Sequence, residues 1–87
     1  MASYRVLLER TASKELVKSG RKADRRRLVA RIRTLAAGPR PHGSEKLAGS
    51  GERCRIRAGS HRVLYAIDDV AREVHVVRIG HRSDVHR

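Results

Sequence analysis

Two runs of alternating apolar and polar residues, 52–58 and 61–67, are separated by Gly59-Ser60 alone. Alternation over six or seven residues is the period of a half-buried strand. A two-residue link that begins with Gly is the signature of a hairpin with a type II′ turn. So short a turn leaves the register no freedom. The spacing therefore predicts the pairs Ala58–His61, Arg57–Arg62, Ile56–Val63, Arg55–Leu64 and Cys54–Tyr65. One face then carries Cys54, Ile56, Val63, Tyr65 and Ile67, which form a core face. The other carries Arg53, Arg55, Arg57 and Arg62.

The rest of the chain supplies what such a face needs to be covered. Tyr4, Val6 and Leu8 alternate and predict a first strand over 4–9. Thr11 is a suitable N-cap for a short helix over 12–19, with Ala12, Leu16 and Val17 turned inward and Gly20 stopping it. Leu28, Ile32, Leu35 and Ala36 fall on one stripe of a 3.6-residue period, which ends at Gly38-Pro39. Residues 38–51 hold four glycines and both prolines and read as a loop, pinned by Leu47. A last strand spans 73–79, with Gly80 breaking it. The expected order is β-α-α-β-β-β. The expected fold is a single α+β domain over residues 1–87, a two-layer sandwich whose antiparallel sheet packs against a helical hairpin.

Composition narrows the function classes. Val, Leu and Ile number 20 of 87 residues, and there is no Trp or Phe, so the core is aliphatic and thin. Lys and Arg outnumber Asp and Glu by 21 to 9, a formal net charge of +12. The natural partner is a polyanion: nucleic acid, an acidic protein, or both. The longest apolar run has five residues (63–67), too short for a membrane span, and no signal-peptide core is expected at the start. A single cysteine, Cys54, forms no internal disulfide and fits a reduced cytoplasm. The five histidines show no His-x-x-x-His pair and no matching carboxylates, so no metal site is expected.

The basic residues form two candidate sets. Arg21, Lys22, Arg25, Arg26, Arg31 and Arg33 occupy the polar faces of the second helix, as a surface for a polyanion. On the sheet, Arg57 and Arg62 are predicted cross-strand neighbours of like charge, a pairing that costs a few tenths of a kcal/mol. With Arg53 and Arg55 on the same face they form a phosphate site. After the last strand come His81, Arg82 and His86. A histidine is the group best suited to proton transfer near neutrality.

These residues resemble the RelE/ParE superfamily of bacterial toxins, nearly end to end. The resemblance is carried by Arg55-Ile56-Arg57, by Gly59-x-x-Arg62-x-x-Tyr65-x-Ile67-Asp68, and by Ile79-Gly80-His81-Arg82-x-Asp84-Val85. For the RelE branch it implies a ribonuclease that enters the ribosomal A site. There the mRNA 2′-hydroxyl attacks the adjacent phosphate, with no metal or other cofactor. Matched residue by residue, the resemblance implies catalytic roles for Arg55, Arg57, Arg62, Arg82 and His86. Arg53 and His81 join the helical set as RNA-binding residues. Arg55 and Arg57 stand where the family usually has Lys, and His86 where it usually has Tyr. The implied partners are an acidic antitoxin, the ribosome and mRNA, with operator DNA reached only through the antitoxin and no membrane. Three alternatives accompany this reading: the ParE branch, which poisons DNA gyrase; a plain nucleic-acid-binding module; and a catalytically weak toxin that serves as an antitoxin-binding co-repressor.

Overall fold

A computed structural model describes residues 4–47, 49 and 52–81. In chain order the elements are β1 (Arg5–Leu8), α1 (Arg10–Lys18), α2 (Lys22–Arg33), a 3₁₀ turn (Thr34–Ala36), β2 (Glu45–Lys46), β3 (Arg53–Ala58), β4 (His61–Asp68) and β5 (Glu73–His81). The five strands form one sheet in the order β1-β5-β4-β3-β2. The fold is α+β, with the two helices over one sheet face.

The β3–β4 hairpin has the expected register at every pair, from Arg53↔Ala66 to Ala58↔His61. Gly59 has φ +63° and Ser60 is not left-handed, the signs of a type II′ turn. The sheet is mixed rather than antiparallel, because β1 runs parallel to β5, from Arg5↔Glu73 to Leu8↔Val76. Alternation reports which side chains share a face, and it is blind to the direction of a neighbouring strand. A second difference is β2. Glu45 and Lys46 lie inside the segment read as a loop, yet they pair with Arg55 and Cys54. The third is β5, which runs through Gly80 to His81, opposite Arg62 and His61.

The core lies between the helices and the expected face. Ala12, Leu28, Ile32 and Leu35 pack on Cys54, Ile56, Val63, Tyr65, Ile67, Val74, Val76 and Ile79. Burying a Leu or Ile side chain contributes about 1.5–3 kcal/mol, so a dozen small contributions hold the domain. Helix α1 starts at Arg10 rather than Ala12, and Glu9, not Thr11, occupies its N-cap position. Ala12 and Leu16 face inward as expected, but Val17 is 73% exposed. One residue past Leu16 is 100° around the helix, which takes Val17 off the narrow inner stripe. Leu35 keeps its core position from the 3₁₀ turn, after α2 has ended. Gly20 joins the helices at φ +45°, and a Cβ there would meet Asp24 Oδ2 at 2.8 Å.

Two features tie the periphery down. β1 covers only the first part of β5, so the edge beyond it is open to α1. Glu15 of α1 fills it, accepting from the Ile79 N–H at 2.8 Å and from Arg78 Nε at 3.0 Å. At the other end, the Tyr65 hydroxyl donates to the Pro39 carbonyl at 2.7 Å inside the core. This bond and buried Pro39 anchor the 38–47 segment; Leu47, the expected pin, is half-buried.

Candidate phosphate-binding site

The outer face of the hairpin is built by the turn. Because the type II′ link sets Arg57 opposite Arg62, and alternation sets Arg55 beside Arg57, three guanidiniums share one face of two strands. They line a hollow of about 340 Å³ together with Gly43, Glu45 and Ile56. Arg57 is exposed, whereas Arg62 is half-buried. The Arg62 Nε is buried and has no hydrogen-bond partner. A buried guanidinium N–H without an acceptor is costly. A tetrahedral anion placed in the hollow would supply the missing acceptor. Gly80, opposite Arg62 on β5, adds no side chain to this row. Arg53 shares the face but lies outside the hollow, opposite Ala66.

Glu45 is the residue that periodicity missed. The 38–47 segment forms one wall of the hollow, held by the Tyr65–Pro39 bond and by Arg40. Arg40 Nη2 contacts Asp69 at 2.8 Å and Glu52 at 3.4 Å. On that wall, Glu45 accepts from Arg55 Nη2 at 2.8 Å and Nε at 3.2 Å through one oxygen. The hydrogen bond from Arg55, then its charge, hold the Glu45 carboxyl below the usual carboxylate range; Arg62 and Arg57 add to this. Glu45 is the only carboxylate among the described lining residues. The signal available in the sequence was a lone acid in a Gly- and Pro-rich stretch, which carries no register.

The helical arginines lie on the other layer, across the sheet from this hollow. Lys22, Arg25, Arg26 and Arg33 surround Val29 and Ala30 in a groove of about 440 Å³. Arg25 Nη1 also donates to the Gly20 carbonyl, and Arg21 gives its backbone N–H to Asp24 at the start of α2. Arg31 is a strut, since its Nε donates to the Arg57 carbonyl at 3.3 Å. The two layers therefore meet near the hairpin tip. His81 is not beside the hairpin arginines. It lies opposite His61, the rings 6.0 Å apart and edge to face, in a separate hollow with Glu15, Lys18 and Arg78. Arg82 and His86 lie outside the described residues. Cys54 is buried, and burial pushes its thiol up, away from nucleophile character.

Among known families, residues 6–86 match the one described as the ParE toxin of type II toxin–antitoxin system, parDE. The chain belongs to this toxin family. Solved structures agree. The RelE–RelB complex of Pyrococcus horikoshii contains a chain 27% identical to it, with a TM-score of 0.82, over 95% of this toxin and 99% of that chain. The RelBE2 toxin–antitoxin complex of Mycobacterium tuberculosis contains one 29% identical, with a TM-score of 0.65, over 97% of each. The isolated RelE toxin of E. coli shares the fold at 24% identity and a TM-score of 0.73, over 97% of this toxin and 86% of that chain. No curated protein sequence matches. Among the described residues of the toxin, no helix is long and apolar enough to cross a membrane.

Proposed function

We propose that this toxin is a ribosome-dependent endoribonuclease that cuts mRNA in the A site and so stops translation. The observation that carries the reading is the buried, unpartnered Arg62 Nε in a hollow shared with Arg55 and Arg57. Such preorganised donors act where charge grows in a phosphoryl transition state. Arg57 and Arg62 hold the non-bridging oxygens of the scissile phosphate, and Arg55 holds the flanking phosphate. The 2′-oxygen bonds to phosphorus as the bond to the 5′-oxygen breaks. The 2′-hydroxyl proton passes to His86, and Arg82 neutralises the departing 5′-oxygen. The products are a 2′,3′-cyclic phosphate and a 5′-hydroxyl. Positioning and electrostatics supply the rate, and no metal enters the scheme.

Arg21, Lys22, Arg25, Arg26, Arg33, Arg53 and His81 contact ribosomal RNA, with Arg31 bracing the hairpin tip. Binding is therefore salt-sensitive. The partner outside the ribosome is an acidic antitoxin that folds over the +12 surface. The antitoxins present in the P. horikoshii and M. tuberculosis complexes support this. Operator DNA is reached through the antitoxin, and the complex resides in the cytoplasm.

The test is cleavage of a defined mRNA on programmed ribosomes, with the 3′ ends mapped. Wild type is expected to cut within A-site codons, and Arg62→Ala to lose about 10²–10³-fold in rate. Loss with His86→Ala puts the histidine in the proton transfer; survival hands that step to another group or to water. The ParE family description favours a second reading, inhibition of DNA gyrase. Soluble wild type that leaves mRNA intact and blocks supercoiling would establish it.

A further inference from the structure

We infer that Glu45 is a built-in competitor for the phosphate, a carboxylate that occupies the binding edge of Arg55 until substrate displaces it. This rests on reading the hollow as a phosphate site. Glu45 and Arg55 are directly opposite across β2 and β3. One Glu45 oxygen takes both Nε and Nη2 of Arg55, the edge a phosphate oxygen would use. The Arg55 side chain is 17% exposed and that of Glu45 65%, so the guanidinium is held in place and the carboxylate is free to swing out. Its strand is two residues long and pairs only with β3. By contrast Arg62 Nε has no partner and Arg57 is exposed. Of the three arginines, the toxin neutralises one from within and leaves two for the anion.

The consequence is a threshold. Three guanidiniums and one carboxylate leave the hollow two positive charges rather than three. Phosphate that takes Arg55 must first free Glu45, and Glu45 then stands as a negative charge beside the anion. Weak, singly placed anions such as free phosphate are disfavoured most. A polynucleotide held elsewhere on the basic surface brings its phosphate at high effective concentration and overcomes the competitor. The hollow is thereby reserved for anchored substrate.

The experiment is a titration of the isotopically labelled toxin with inorganic phosphate, read at the guanidinium Nε–H resonances of Arg55, Arg57 and Arg62. Glu45→Gln is expected to bind about fivefold tighter than wild type, in line with loss of a partly exposed ion pair. Equal affinity in the two proteins would overturn the inference and leave the phosphate reading standing. No shift at any of the three arginines in either protein would overturn both. Wild type alone supplies a second readout that does not depend on the variant folding. The Glu45 carboxyl carbon must shift together with Arg55 as phosphate saturates the hollow. A carboxyl carbon that stays still while Arg55 responds would also sink the inference.

Discussion

The hydroxyl of Tyr65 and the carbonyl of Pro39, 26 residues apart, meet inside the core at 2.7 Å. Tyr65 is fully buried, and burial pushes its phenol up to about 12. The bond joins the central strand to the segment that walls the arginine hollow. Tyr65→Phe removes it and strands a buried carbonyl, which costs about 1–3 kcal/mol. Urea unfolding would report that loss.

The same phenol contributes to the alkaline limit. Its folded pKa lies above the unfolded value near 10. The stability it contributes is therefore complete below about pH 10, and it is lost as pH rises towards about 12. In Tyr65→Phe this part of the alkaline unfolding limb is absent. A melting temperature measured against pH in the two proteins distinguishes them.

Acid acts through Asp69, Glu73 and Glu45, whose carboxyls are held below their usual values by bonds from Arg40, Arg5 and Arg55 respectively. Depressed carboxylates contribute stability that is present above the unfolded pKa and lost as pH falls through the folded one. The melting temperature should fall below about pH 4.5. Arg40→Ala should weaken that fall by removing the main partner of Asp69. A fall of the same depth in wild type and variant would contradict the assignment.

Arg57 and Arg62 repel each other across the hairpin without any carboxylate between them in register. Because Arg57 is exposed, Arg57→Gln removes repulsion while burying nothing new. The variant should gain about 0.2–1 kcal/mol at low ionic strength. The gain should shrink at high salt, where exposed charges are screened. Calorimetry at two salt concentrations checks both parts. A stabilised variant with poorer mRNA cleavage marks the pair as kept for binding, at some cost to the fold.

Glu15 closes the open edge of β5 through Ile79 and Arg78. Glu15→Ala leaves the Ile79 N–H without that acceptor and should destabilise the toxin by about 1 kcal/mol. Amide exchange at Ile79 should accelerate, whereas the amides of β3 should keep their protection. Uniform acceleration over the sheet would mean that the carboxylate supports the whole domain rather than one edge.

The hairpin was legible because two residues of turn leave one register, and one register decides every facing pair. The same register puts Arg55, Arg57 and Arg62 on a common face from the sequence alone. The core stripe of α2 was legible for a similar reason, since Leu28 and Ile32 repeat at the helical period. Val17 departs from the expected inner face because a short helix offers few positions from which to find that face. Glu45 was not legible at all. It belongs to a two-residue strand whose place is set by a tyrosine hydroxyl, a buried proline and an arginine 29 residues from its aspartate partner.

Local periodicity and turn chemistry by themselves determined the two helices, every strand but β2, the hairpin register and the convergence of arginines, because each depends on neighbours within a few residues. Tertiary structure alone decided that β1 joins β5 in parallel, that His81 meets His61 away from the hairpin arginines, and that Glu45 neutralises one of them. Those three outcomes depend on contacts between residues far apart in the chain, and no local pattern of charge or hydropathy encodes such distances.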